Sequence, residues 1–191
     1  MPVYAFEAES NIGKQLFVEV TQNGGRIVLL TMHKSGGVEG INKFVSANQA
    51  QETAGKFAAE LGFNAEPVRI SKAHGKVFYI TLAPVVNGVI VYPDTVKIAV
   101  DKDGVCSFDS FNYLANNKKR VVEAPAVSAA DAKKLISKSM SVTDYTLVLV
   151  SERSKEVLCW EFECKSEDGV HYIYIDANQK REAGTEKIAI F

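Results

Sequence analysis

Apolar and polar residues alternate from Val96 to Val100: Val96, Ile98 and Val100 share one side, Lys97 and Ala99 the other. Asp101-Lys102-Asp103-Gly104 follows, then a second short apolar run ending at Phe108. A period of two on either side of a glycine-bearing turn predicts strand, turn, strand. The phrase is written three times. Phe17 to Leu30 carries Val18 and Val20, a turn with Gly24, then Ile27 and Leu29. Tyr172 to Ile188 carries Ile173 and Ile175, then Asp176-Ala177-Asn178. With Val20, Val100 and Ile175 in register, at intervals of 80 and 75 residues, Gly24 and Gly104 coincide and Gln179 takes their place in the third copy. Each phrase follows another strand with an aromatic centre: Val3–Glu9, Val77–Ala83 and Val157–Glu163. Asn87-Gly88 and Asp168-Gly169 predict hairpin turns between these strands and the phrases, and Ser10–Lys14 is a weaker equivalent.

The period changes to helical ahead of two of the three copies. Ser46 and Ser128 are each set to cap a helix, with Gln49 or Asp131 three residues on to return the bond. Ala50, Ala54, Phe57, Ala58 and Leu61 then form one apolar stripe, and Gly62 is the expected stop. Ala132, Leu135 and Ile136 make a shorter stripe. Helices are expected near 46–61 and 129–138, with Leu61 and Leu135 buried against their sheets. The repeating unit is one helix followed by an antiparallel meander of about four strands, an α+β class in which the helix covers one sheet face. Residues 45–114 and 127–191 are complete units; residues 1–32 are strands only. The chain therefore reads as starting inside a repeat, and this half-unit is expected to persist by packing on a neighbour. Residues 33–44, with three glycines, and 112–127 read as connectors.

Composition fits a folded chain, with 47% hydrophobic and 24% charged residues. A net charge of −1 supplies no field to hold nucleic acid or an anionic membrane. No apolar run is long enough to span a bilayer, and the first residues lack the basic and apolar regions of a signal peptide, so no membrane contact is expected from this stretch. The three cysteines, Cys106, Cys159 and Cys164, are an odd number, and the last two are spaced for opposite faces of one strand. Buried free thiols are expected.

Groups that would converge on chemistry are few. His33, His74 and His171 fall in different repeats, without metal-ligand spacing. The glycine-rich stretches match neither a phosphate loop nor a dinucleotide turn. Glu161 and Glu163 flank Phe162 on one strand and share a face; they read either as the wet face of a half-buried sheet or as a carboxylate pair for glycoside hydrolysis. No catalytic, metal-binding or cofactor-binding residue is assigned. Asn116–Arg120 is the one compact basic cluster. It is either a solvated loop or a docking place for an acidic partner. The partner-binding candidates are Tyr113, Lys118, Lys119, Arg120 and Trp160, the single tryptophan, a residue type enriched at interfaces.

The helix-then-meander unit with its Val-Asp-x-x-Gly turn resembles the PepSY domain family. The order of blocks from Tyr92 to Gly104, Asn112 to Arg120, Glu156 to Glu163, Tyr172 to Ala177 and Gly184 to Ile188, with Val18 to Val28 near the start, is similar to the C-terminal region of the YpeB family of spore germination proteins. That resemblance implies tandem PepSY units, a location in the spore outside the inner membrane, and a non-enzymatic role: binding, stabilising or restraining a cortex-lytic, SleB-like cell-wall hydrolase. Inhibition or chaperoning of a secreted peptidase is the alternative it leaves open. The family brings no site residues, and the oligomeric state is open.

Overall fold

The computed structural model describes residues 1–9, 13–33, 45–72 and 77–188. Its elements run β1 (Val3–Glu9), β2 (Gln15–Thr21), β3 (Ile27–His33), α1 (Ala47–Glu60), β4 (Glu66–Lys72), β5 (Phe78–Ala83), β6 (Val85–Val86) and β7 (Val89–Val91). A 3-10 turn at Tyr92–Asp94 leads to β8 (Val96–Asp101), β9 (Gly104–Asp109), α2 (Phe111–Asn116), α3 (Ala129–Lys133), β10 (Ser141–Glu152), β11 (Lys155–Ser166), β12 (Gly169–Asp176) and β13 (Glu182–Ile188). The chain divides into two compact units, Met1–Pro84 with Asp94–Asn117, and Val85–Pro93 with Lys118–Phe191. The fold is α+β, as expected: two mainly antiparallel sheets with few helices. The connector expected at 33–44 lies, after His33, outside the described residues, as do Ser10–Ile12 of the first turn and His74.

The first unit is a seven-stranded sheet in the order β1-β2-β3-β9-β8-β5-β4. Every pairing in it is antiparallel. The first and second copies of the repeated phrase meet through their last strands, β3 and β9. Ile27 pairs with Val20 and Val105 pairs with Val100, so Ile27 and Val105 hold equivalent places. Three residues further on in each strand stand Leu30 and Phe108, and these pair with one another. The two meanders are thus related by a local two-fold axis through that pair. Helix α1 starts as its sequence dictates: Ser46 accepts from the Gln49 N–H, and the Gln49 side chain returns a bond to the Ser46 N–H. Ala50, Ala54 and Ala58 are fully buried. They meet Phe78, Ile80, Leu82, Val96, Ile98, Val100 and Phe108 in one core, with Phe57 and Leu61 half-buried at its margin. Alanines at this spacing let the helix backbone lie close to the sheet.

The second unit is a six-stranded sheet, β13-β12-β11-β10-β7-β6. Asn87 and Gly88, both at positive φ (52° and 79°), turn the β6–β7 hairpin as predicted. One pairing departs from the antiparallel expectation: Ile90 and Val91 of β7 run parallel to Val148 and Leu149 of β10. The hairpin, which lies within the 45–114 repeat by sequence, therefore belongs to the second unit's sheet. The second helix is shorter than expected. Ser128 caps it as predicted, but it ends at Lys133, so Leu135 falls in the following turn and is 45% exposed. Ala132 carries the contact instead, against Phe162, Cys164, Ile173 and Ile175.

The repeated turn has a side-chain explanation. Oδ1 of Asp101 accepts from the Asp103 N–H, and Oδ1 of Asp176 accepts from the N–H of Asn178, each two residues on. Thr21 plays the part in the first copy, accepting from the Arg26 N–H through its hydroxyl oxygen. The first and third turns are the same length: Thr21 N–H bonds Arg26 C=O, and Asp176 N–H bonds Arg181 C=O. That equivalence keeps Gln179 opposite Gly24, as read from the sequence, and places Lys180 (φ 52°) opposite Gly25 (φ 60°). A lysine there carries the left-handed strain that glycine avoids. Lys180→Gly is expected to raise stability by about 0.5–1 kcal/mol in urea unfolding; a loss would show that the lysine side chain earns its place by contacts.

Candidate partner-binding surface

Helix α2 ends at Asn116, and the basic cluster follows it without regular secondary structure. Arg120 does not point to solvent. Its side chain is only 6% exposed and forks onto Glu156 of β11, Nε to Oε2 at 3.0 Å and Nη2 to Oε1 at 2.7 Å. Lys118 approaches the same carboxylate at 3.2 Å but stays 62% exposed, and Lys119 is exposed. The Arg120 guanidinium, aided by Lys118 and opposed by partial burial, holds the Glu156 carboxyl below its ordinary value of 4.5. A depressed folded value means the pairing stabilises above the ordinary range and is lost as pH falls through it. Glu156→Gln is therefore expected to be less stable than the parent at pH 7, with the gap closing below about pH 4.5, where the parent's carboxyl also takes up its proton. Urea midpoints of both proteins from pH 7 to pH 3 check this; a constant gap counts against the ion pair.

Tyr113 does not share this surface. It is 5% exposed in the first unit's core, edge-on to Phe63 at 5.0 Å, and its hydroxyl oxygen accepts from the Asn64 N–H. The six-residue helix α2, read from sequence as connector, turns it inward. Trp160 is half-buried between two clusters of the second unit's core. Its Nε1–H donates to the Val127 carbonyl at 2.8 Å, tying the segment before α3 to β11, and the Tyr145 ring meets it edge-on at 5.9 Å. Of the five candidates, Lys118 and Arg120 converge on Glu156, Lys119 lies beside them, Trp160 is a partly open core residue, and Tyr113 is in a different core.

Glu161 departs from the wet face that alternation suggested, whereas Glu163 is half-buried. Glu161 is 6% exposed and accepts from the Tyr92 hydroxyl at 3.1 Å; Tyr92 is 69 residues away in sequence. Glu163 accepts from Thr143 at 2.9 Å and from Tyr172 at 3.3 Å. The three cysteines are free thiols. Burial, with Asp176 beside it, pushes the Cys159 thiol up to about 12, and burial also raises Cys164, so both are poor nucleophiles at neutral pH. His171 is buried, and its Nε2 lies 2.9 Å from Asp168. A cleft of about 500 Å³ beside Glu156 is lined by Glu152, Asp176 and Arg181, the guanidinium pairing with both carboxylates. Among the described residues no buried side-chain nitrogen or oxygen lacks a hydrogen-bond partner, and no three metal-ligating side chains gather. The surface places two exposed lysines, Lys118 and Lys119, beside the buried Arg120–Glu156 pair.

Comparison with known proteins bears on the family and the fold. The family described as YpeB sporulation, PepSY1 and PepSY2 domains matches residues 1–123. The sporulation protein YpeB of Bacillus subtilis (strain 168) is 28% identical over 178 residues, covering 91% of this chain and 39% of that protein. The sporulation protein YpeB of Halalkalibacterium halodurans is 27% identical over 175 residues, 90% of this chain and 38% of that protein. The chain thus spans about two fifths of the length of these relatives. The solved Bacillus megaterium YpeB C-terminal domain shares the fold, with a TM-score of 0.81 at 23% identity over 98% of this chain and 84% of that one.

Proposed function

The chain belongs to the YpeB sporulation family, by its PepSY domains, and from that premise we propose that it is a non-catalytic module that binds and restrains or stabilises a cortex-lytic, SleB-like cell-wall hydrolase in the spore, outside the inner membrane. The observation that carries this reading is how the ionisable groups are used. Glu161 and Glu163 are each taken up by hydroxyl partners within the scaffold, and the buried thiols are held protonated. The segment after α2 meanwhile presents exposed cations at Lys118 and Lys119. A hydrolase with an acidic face fits Lys118 and Lys119, whose side chains project from a backbone fixed by Arg120. No helix among the described residues is long and apolar enough to cross a membrane.

Lys118→Glu with Lys119→Glu is expected to weaken capture of a purified SleB-like hydrolase about tenfold or more and to flatten the salt dependence of what remains. Arg120 is kept, because its reversal would strand Glu156 and confuse folding with binding. Glu161→Gln with Glu163→Gln is expected to leave capture unchanged. Calorimetry at two salt concentrations decides it. Loss of capture in the glutamine pair, with none in the glutamate pair, sinks both the surface and the non-catalytic reading. Capture of a secreted peptidase and not the hydrolase would transfer the module to peptidase control.

A further inference from the structure

The cleft beside Glu156 is lined from two turns of the second unit. The β10–β11 hairpin turns on two residues, Arg153 and Ser154, since Glu152 pairs with Lys155. The β12–β13 turn runs from Asp176 to Arg181. Of the four non-glycine residues at positive φ in the described chain, three stand in these two turns: Arg153 (54°), Ser154 (103°) and Lys180 (52°). Glycine, or Asn-Gly in a two-residue hairpin, would take such backbone with least strain. The chain holds cationic side chains at two of the three places instead. Non-glycine residues kept in strained conformations concentrate at ligand clamps and other functional sites.

The polar groups of the cleft divide into those already matched and those left over. Arg181 pairs with Glu152 and Asp176, and Arg120 with Lys118 takes Glu156. Asn178 and Gln179 are oriented through their oxygens. Oδ1 of Asn178 accepts from the Ala126 N–H, and Oε1 of Gln179 from the Arg181 Nε–H. Their NH2 groups, which can only donate, find no acceptor among the described residues. Arg153 and Lys155 are exposed and enter no ion pair among the described residues. What remains open is therefore a rim of donors, two of them charged. The lining holds no aromatic ring on which a base or a sugar could stack.

We propose that this cleft is a binding site for an acidic peptide segment, whose carboxylates accept from Arg153, Lys155 and the side-chain amides of Asn178 and Gln179. An ionised carboxylate only accepts, so it complements a rim that only donates, and charge-assisted bonds to Arg153 and Lys155 are the stronger kind. The volume lies in the range of ligand sites. The inference rests on the hydrolase reading only for the protein that supplies the segment, and its residues are distinct from Lys118 and Lys119.

The probe is an acetylated, amidated hexaglutamate peptide, with hexaglutamine as its neutral control, titrated at low salt onto the 191-residue chain. Saturable binding of hexaglutamate is expected, with shifts of the Asn178 and Gln179 side-chain NH2 signals in nitrogen–proton NMR spectra; hexaglutamine should not bind. Arg153→Asn with Ser154→Gly gives the turn its favoured Asn-Gly, so circular dichroism should show the fold kept while binding weakens about fivefold. Adding Lys155→Ser should bring the loss to about tenfold or more. Ser154→Gly alone keeps both cations and should bind as the parent does. Absence of saturable binding, equal binding of hexaglutamine, shifts that miss Asn178 and Gln179, or indifference to the loss of Arg153 and Lys155 overturns the site. Weakening confined to Lys118→Glu with Lys119→Glu would put acidic segments on the lysine cluster, overturning the cleft while the hydrolase reading stands. Equally tight binding of inorganic phosphate at the same signals would make the cleft a general anion site and overturn the peptide.

Discussion

Phe108→Ala is expected to cost about 3–5 kcal/mol, a large part of what a domain of this size holds in reserve. The ring is fully buried. It meets Phe57 edge-on at 5.6 Å and Phe63 at 5.4 Å, so its removal empties a space shared by α1, the loop after it and the sheet. It also sits on the local two-fold axis, paired with Leu30 across the β3–β9 seam and with Ile98 on the other side. A cavity there is felt by both meanders at once, and α1 cannot close it without pulling its alanine stripe off the sheet. Urea unfolding followed by far-ultraviolet circular dichroism measures the effect. A loss under about 1 kcal/mol would mean that the seam relaxes freely.

Asp176→Ala is expected to cost about 2–4 kcal/mol. Asp176 is 2% exposed, and one of its oxygens accepts from the N–H groups of both Asn178 and Gln179 while the other faces Arg181 at 3.3 Å. Alanine leaves these donors without an acceptor where water has little access. Asp176→Asn keeps an oxygen for the turn and loses only the charge, so it should recover most of the deficit. Equal losses for the two variants would assign the cost to the ion pair with Arg181 and not to the turn. The same measurement at Asp101, which is more open and bonds one N–H, should give a smaller effect.

What the sequence made legible follows the range of the interactions involved. The α1 start was readable because Ser46, Gln49 and the alanine stripe act within a few residues of each other. The strand phrases were readable for the same reason, and the α+β class followed from their spacing. Leu135 was misread because a stripe says nothing about where a helix stops, and α3 stops two residues earlier. Tyr113 was misread because one and a half turns of helix leave no period to detect, while its partner, Asn64, is 49 residues away. Glu161 looked wet because alternation describes one sheet, whereas Tyr92 comes from a distant segment to cover it. At the candidate surface the sequence located the cations but not the carboxylate 36 positions on that removes Arg120 from solvent. The third turn keeps the register read from sequence, but the positive φ of Lys180 was not legible because glycine is what usually signals that conformation.

The β6–β7 hairpin has a kinetic consequence. Each compact unit is discontinuous in the chain, for residues 85–93 leave the first and enter the second. On a growing polypeptide the first unit can complete its sheet once Asp109 has emerged, provided the hairpin is left out of it. The hairpin then waits for β10, because Val91 finds its neighbour only at Leu149. Closing so long a loop to form a two-residue parallel contact is entropically slow, and until it happens the edge of β7 away from β6 is unpaired. The sharp Asn87-Gly88 turn holds the two strands together through that interval, so its value is greatest before the protein is finished.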